Sequence, residues 1–288
     1  MAEPRLLDGR AAAKAVRVEL ARRVDALQAR GVKPGLRILQ VGADPASSIY
    51  VASKVKASAM IGIDARVERL PDACCFADIA RVIGAWNLDS TVHGFIVQLP
   101  LPRGIDACAV LQLVGSDKDV DGLGPASLGA LASGRPRFTP ATPTGIIELL
   151  VRNGISIPGR RVVIVGRGDL VGRPLASMLL LRGERGDATV TVCHSRTPDL
   201  GAVCRTAQIL VVAVGRAGLV TGEMVTEGVV AVDAGTNSND CKLVGDIDFE
   251  SVAAKASAIT PVPGGVGPMT VAMLLANTVR AAELASGT

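Results

Sequence analysis

Two kinds of apolar spacing alternate along this chain, and that alternation restricts its fold more than any other feature. Residues 10–30 place Val16, Leu20, Val24 and Leu27 on one helical face, with Arg17, Glu19, Arg22, Arg23 and Asp25 elsewhere. Asp8 precedes this helix as an N-cap and Gly31 follows it as a stop. Residues 36–41 then read as a strand. Asp44-Pro45 opens a second helix that runs to about Ile61 and stops at Gly62. Residues 63–70 alternate like a strand and 77–87 like a helix, and 92–97 form an apolar strand running into Gln98 and the Pro100-Leu101-Pro102 break. Helix and strand in strict turn predict a parallel sheet with helices on its faces.

The second half repeats the theme. Residues 139–143 are rich in Pro and Thr, a short helix follows at 145–152, and Pro158-Gly159 makes a turn. The change of domain is placed here, giving domains at 1–138 and 139–269. Residues 161–165 form an apolar, β-rich run suited to the centre of a parallel sheet. Three further runs, at 189–193, 209–214 and 229–232, complete a second sheet, and the closing helix within 270–288 is free to pack back on the first domain. At 288 residues the chain is too long for one ordinary core, which leaves two domains or one large α/β unit. With the change of domain at 139–143, the fold class is read as α/β with two α/β domains.

Composition removes several function classes. Six aromatic residues, four Phe, one Trp and one Tyr, leave little for a base-stacking platform. The net charge of +4 is spread along the chain, so no nucleic-acid footprint is visible. With only His93 and His194, neither a multi-histidine metal site nor a Ser-His-Asp triad is expected. Cys74, Cys75, Cys108, Cys193, Cys204 and Cys241 show no C-x-x-C spacing, which reads as reduced, buried thiols. No apolar run approaches the roughly 18 residues of a membrane span, and Glu3, Asp8 and Glu19 interrupt any signal-peptide core. A cytoplasmic protein is expected.

The turn after the 161–165 strand reads Gly166-Arg167-Gly168-Asp169-Leu170-Val171-Gly172. It is one residue longer than the usual dinucleotide fingerprint, but it follows a strand and opens a helix, so helix-start N–H groups can meet a pyrophosphate. The plainer reading is a glycine loop that lets helix and sheet pack closely. At the end of the next strand an NAD enzyme usually places an acid for the ribose hydroxyls. Here Cys193-His194-Ser195-Arg196 offers a hydroxyl and a guanidinium, which with Arg167 suit the 2′-phosphate of NADP. His194 reads as a residue lining that site.

In the first half Tyr50 and Lys54 stand four apart, on one helical face, so a ring and an amine can meet the same ligand. By spacing alone such a pair is usually an amphipathic edge. Gln98 follows an apolar strand, where open α/β sheets bind ligands. Asp119 and Asp121 flank Val120 before Gly122, a pattern that also serves as a plain turn.

The run from Val41 to Val51 with Lys54, Val97-Gln98-Leu99-Pro100-Leu101-Pro102, Lys118-Asp119-Val120-Asp121-Gly122 and Pro261-Val262-Pro263-Gly264-Gly265-Val266-Gly267-Pro268-Met269-Thr270 resemble the bifunctional methylenetetrahydrofolate dehydrogenase/methenyltetrahydrofolate cyclohydrolase family. The resemblance covers essentially the whole chain. It implies a three-layer folate-binding domain, a Rossmann-type NADP domain, a cleft between them, and a homodimer. It implies that Lys54 is catalytic, that Tyr50 packs on the folate rings, that Gln98 bonds and tunes Lys54, and that Asp121 pairs with the pterin. Leu99, Gly264, Gly265 and Pro268 complete the implied substrate set. Gly166, Arg167, Gly168, Ser195, Arg196 and the Thr236 backbone form the implied cofactor set.

Departures gather near Asp121. The family usually continues Phe, His, Pro and then Asn two residues later, where this chain has Leu123, Gly124, Pro125 and Ser127. Ala141 replaces the cysteine of its Pro-Cys-Thr-Pro, and Thr236 stands where isoleucine is usual. Two other readings remain open: an NADP-dependent dehydrogenase of similar architecture on another substrate, such as a shikimate-type enzyme, and a catalytically silent nucleotide-binding protein.

Overall fold

The structure is a computed structural model that describes residues 3–239 and 242–287. Its chain divides into two compact units, one made of residues 14–141 and 271–288 and the other of residues 1–13 and 142–270. In order it runs β1 (Arg5–Leu6), α1 (Gly9–Gln28), β2 (Gly35–Val41), α2 (Pro45–Ala59), β3 (Asp64–Leu70), α3 (Phe76–Leu88) and β4 (Gly94–Val97). Next come α4 (Ala107–Gln112), α5 (Pro125–Ala132), α6 (Ala141–Arg152), β5 (Arg161–Val165), α7 (Gly172–Leu179), β6 (Thr189–Cys193), α8 (Leu200–Cys204) and β7 (Ile209–Val212). The rest is β8 (Val230–Asp233), β9 (Asn237–Asn239), β10 (Lys242–Val244), α9 (Phe249–Ala253), β11 (Ala258–Ile259) and α10 (Val266–Ala285).

The first unit holds a parallel sheet in the order β3-β2-β4. All seven residues of its central strand β2 are buried, as expected where helices cover both faces. Leu39 and Val41 point into a core with Ile79, Ile83, Phe95, Val97 and Val110. Trp86 meets Phe95 edge to face, with ring centroids 5.4 Å apart. Asp44 caps α2 by accepting from Ser47 N at 2.7 Å, and Gly62 after that helix has φ +81°, which a side chain would resist.

The second unit is a six-stranded parallel sheet, β1-β11-β8-β7-β5-β6, with a separate antiparallel β9-β10 hairpin. Four of its strands are those expected from apolar runs. The other two, β1 and β11, have two residues each, too short to carry any periodicity. They exist because each finds a parallel neighbour: Arg5 pairs with Ala258, and Ala258 with Val230. The same pairing places residues 1–13 in this unit.

Two helices begin earlier than their apolar pattern suggests. α6 starts at Ala141 and α10 at Val266, each with proline at its third position. The first-turn N–H groups have no partner inside a helix, so proline loses nothing there. The aromatics divide: Phe95 and Phe138 are buried, whereas Phe76 and Phe249 begin α3 and α9 and stay more than 40% exposed. The thiols also differ from expectation. Cys193 and Cys204 are buried, Cys75 and Cys108 are exposed, and Cys241 lies outside the described residues. Among the described residues no helix is long and apolar enough to cross a membrane.

His93 ties β2 to β4. Gly35 N donates to its Nδ1 at 3.0 Å, and His93 N donates to the Gly35 carbonyl at 3.0 Å. Burial, helped by the Lys118 and Arg37 charges, holds its pKa below the ordinary 6.5. The folded state therefore takes up its proton less readily than the unfolded chain. Stability is full above pH 6.5 and lost below it. Replacing His93 with Gln should flatten the fall of the urea midpoint between about pH 7.5 and about pH 5.5, and parallel curves for the two proteins would contradict this.

Candidate functional site

Lys54 lies on the face of α2 that packs inward with Ser47, Val51 and Ser58, and it is 9% exposed. Its Nζ donates to Gln98 Oε1 at 2.9 Å. Gln98 follows β4, and its Nε2 donates to the Leu99 carbonyl at 2.7 Å, which turns the amide oxygen toward the ammonium. Gln98 thus offers an acceptor without a compensating negative charge. Burial lowers the Lys54 pKa, and the nearby Asp121 carboxylate opposes that shift. Asp121 is raised in turn, by burial first, with Lys54 pulling it down and Asp119 pushing it up. Tyr50 stands one turn before Lys54 and is 38% exposed, so its ring is accessible.

The segment carrying Asp121 is fastened by Asp119, whose sequence pattern also serves as a plain turn, and by Asn277, which no motif singles out. Asp119 accepts from Gly122 N at 3.1 Å and from Gly124 N at 2.8 Å, so its carboxylate is the turn former. Asn277, in α10, donates from Nδ2 to the carbonyls of Val120 at 2.8 Å and Thr139 at 2.9 Å. Only folding brings it there, 157 positions from Val120. Gly122 is tightly constrained: its φ is +67°, and a Cβ would lie 2.8 Å from the Thr139 carbonyl carbon.

In the other unit the glycine turn after β5 separates into two roles. A Cβ on Gly166 would lie 2.1 Å from the Ala213 oxygen, and one on Gly172 would lie 2.1 Å from the Gly166 oxygen, so close packing demands both. A Cβ on Gly168 would meet nothing within 4 Å. Packing therefore explains two glycines and leaves Gly168 facing open space, where a phosphate could approach its backbone. Ser195 and Arg196 follow β6, and in the turn His194 N donates to Thr197 Oγ1 at 2.9 Å and Arg196 N donates to His194 Nδ1 at 3.2 Å. Arg167, Ser195 and Arg196 are exposed, and neither guanidinium has an ion-pair partner among the described residues.

These groups suit a 2′-phosphorylated dinucleotide. Thr236 is exposed in the segment after β8. Gly264, Gly265 and Pro268 belong to this nucleotide unit, whereas Tyr50, Lys54, Gln98, Leu99 and Asp121 share the other. Gly265 is required by packing, since its Cβ would lie 2.7 Å from the Thr260 side chain.

Residues 7–121 match the family description "Tetrahydrofolate dehydrogenase/cyclohydrolase, catalytic domain", and residues 140–286 match its NAD(P)-binding domain. The chain belongs to the tetrahydrofolate dehydrogenase/cyclohydrolase family. The bifunctional protein FolD of Desulfovibrio desulfuricans is 50% identical over 276 residues, which is 96% of this chain and 97% of that protein. The crystal structure of the bifunctional enzyme FolD from Campylobacter jejuni superposes with a TM-score of 0.93 at 44% identity, covering 97% and 98% of the two chains. That of the Trypanosoma brucei enzyme, complexed with NADP cofactor and an inhibitor, gives 0.94 at 39% identity over the whole of both chains.

The Lys54–Asp121 coupling has a measurable sign. Asp121→Asn removes the one negative charge that raises the Lys54 pKa, so that value should fall further. Titration of 13C-labelled lysine side chains would read it, and an unchanged or higher pKa would contradict the electrostatic account.

Proposed function

We infer that this protein oxidises 5,10-methylenetetrahydrofolate to the 5,10-methenyl form with NADP+ and hydrolyses that product to 10-formyltetrahydrofolate. The observation that carries the reading is a buried lysine, hydrogen-bonded to Gln98 and charge-coupled to Asp121, in a chain whose two halves both match this family. Family membership over nearly the full length favours it over a shikimate-type dehydrogenase or a silent nucleotide-binding protein.

A lysine whose pKa is lowered by burial can release and take up a proton nearer neutrality than a solvated one. We assign Lys54 the proton transfers that accompany attack of water on the methenyl carbon and opening of the ring. Gln98 holds its Nζ in place. The Asp121 carboxylate, its pKa raised by burial and drawn back by the Lys54 charge, suits the amino and ring N–H groups of the pterin as an acceptor, and the exposed ring of Tyr50 suits its flat face. Leu99, next to Gln98 in the chain, and Gly264, Gly265 and Pro268 are assigned to substrate by the family resemblance. When bound, NADP+ supplies the hydride acceptor. Gly166, Arg167, Gly168, Ser195, Arg196 and Thr236 are the residues assigned to hold it, the two arginines and the serine taking the 2′-phosphate.

The protein is further read as a cytoplasmic homodimer. The exposed outer strand β6, with Thr189 and Val192 turned to solvent, supports a self-association edge. Sedimentation at micromolar concentration should give twice the chain mass, and a single-chain mass would remove the dimer.

Adding methylenetetrahydrofolate and NADP+ should generate NADPH and a transient methenyl absorbance, with NADP+ preferred to NAD+. Lys54→Met should lower cyclohydrolase turnover by about 100-fold or more while NADP+ binding persists. A fully active variant would take Lys54 out of the mechanism.

A further inference from the structure

Two carboxylates buried behind the nucleotide turn are satisfied almost wholly by N–H groups of the loops around it. Asp246 has no exposed surface, and Asp233 is 4% exposed. Asp246 Oδ2 accepts from Val214 N at 2.6 Å and Gly215 N at 2.9 Å, while its Oδ1 accepts from Arg216 N at 2.8 Å and Asn237 Nδ2 at 2.9 Å. Three consecutive N–H groups converging on one anion make a backbone nest, filled here by the protein's own carboxylate.

Asp233, the last residue of β8, accepts from Gly235 N at 2.8 Å and Asp246 N at 3.0 Å on Oδ1, and from Ile247 N at 2.8 Å on Oδ2. The two acids are therefore linked: Asp233 holds the backbone of Asp246, and the side chain of Asp246 holds the turn after β7. Thr236 is pinned from both sides, through Gly235 by Asp233 and through Asn237 by Asp246. The fit leaves no room for side chains. A Cβ on Gly235 would lie 2.3 Å from Asp246 Cγ, and one on Gly245 would lie 1.9 Å from Asp233 Oδ2.

Everything fixed in this way lies at the carboxyl ends of β7 and β8, beside the turn after β5, since Gly166 packs on the Ala213 carbonyl. Open parallel sheets bind their ligands at that edge. The four donors on Asp246 could not adopt this arrangement by themselves, because parallel N–H dipoles repel and water would compete for each.

We propose that Asp246 is a positioning residue for the dinucleotide: it shapes the 214–216 turn and the Thr236 backbone that receive NADP without itself touching the cofactor. This rests on the NADP reading given above. Asn at position 246 keeps the shape but has one acceptor oxygen and turns an amide N–H₂ toward N–H donors.

The test is fluorescence titration of NADPH into full-length wild type, Asp246→Asn, Asn237→Ala and the exposed Asp248→Asn control, with NADP-free hydrolysis of methenyltetrahydrofolate measured on each. Asp246→Asn should weaken NADPH binding by about tenfold or more, and raise KM for NADP+ in parallel, with cyclohydrolase turnover within about twofold of wild type. Asp248→Asn should match wild type throughout. Wild type that binds no NADPH overturns the cofactor reading itself. Wild type that binds while Asp246→Asn binds equally overturns the positioning role, as does equal loss of both activities, which would mark a purely structural carboxylate. Should Asp246→Asn fail to accumulate, Asn237→Ala decides, severalfold weaker NADPH binding with intact cyclohydrolase supporting the proposal and an unchanged affinity overturning it.

Discussion

The central strands of both sheets are buried along their length, and most of the chemistry is placed by that constraint. β2 is buried at all seven positions, β7 at all four, and β5 at four of five. Such strands have almost no room for unpaired polar side chains, since a polar group taken from water costs free energy unless it is bonded. Gln40 in β2 is buried with its Nε2 donating to Ser48 Oγ at 2.8 Å and its Oε1 unpartnered, whereas Arg37 is engaged through both Nη atoms. Its Nη1 donates to the Leu36 and Asp64 carbonyls, both at 3.0 Å, and its Nη2 reaches the Asp64 carboxylate at 3.3 Å. Recognising groups otherwise gather at the ends of strands, Gln98 after β4, Gly166 and Gly168 after β5, Ser195 and Arg196 after β6, and the 214–216 turn after β7, while Tyr50 and Lys54 stand on α2, the helix that follows β2.

At those ends, carboxylates are used in opposite ways. Asp119 is consumed by backbone N–H groups, and Asp246 by backbone N–H groups and the Asn237 amide, and both act as scaffolding. Asp121 keeps its charge interaction with Lys54. Asp233 combines the two: three backbone N–H groups hold it, yet burial, with Asp246 nearby, still pushes its pKa up to about 6. The difference between scaffold and site thus lies in whether the carboxylate oxygens are already saturated by the fold. Gln98 is a neutral version of the same arrangement, with its amide N–H₂ spent on Leu99 and its oxygen left for Lys54.

Much of this was legible beforehand. Periodicity located the three strands of the first sheet and four of the second, because those strands are long enough to repeat and are buried on both faces. The Asp44-Pro45 start and the Gly31 and Gly62 stops are local chemistry and appeared where expected. The i, i+4 spacing put Tyr50 and Lys54 on adjoining turns of one helix, and the resemblance brought Gln98 and Asp121 to them. Two-residue strands, helix starts containing proline and the exposure of Phe76 and Phe249 were not legible, since each depends on a neighbour far away in the chain.

What the sequence by itself determined was the alternation of elements, their caps and stops, the family, and the residue types available for chemistry. These follow from interactions within a few residues or from patterns that survive without coordinates. Only the tertiary structure decided which acids became scaffold, which glycines were forced by packing and which faced open space, and which distant residues hold the Asp121 segment. Asn277 and Asp246 reach their partners across 157 and about thirty positions respectively. Burial and hydrogen-bond saturation belong to the folded arrangement, because both are set by atoms that spacing along the chain does not bring together.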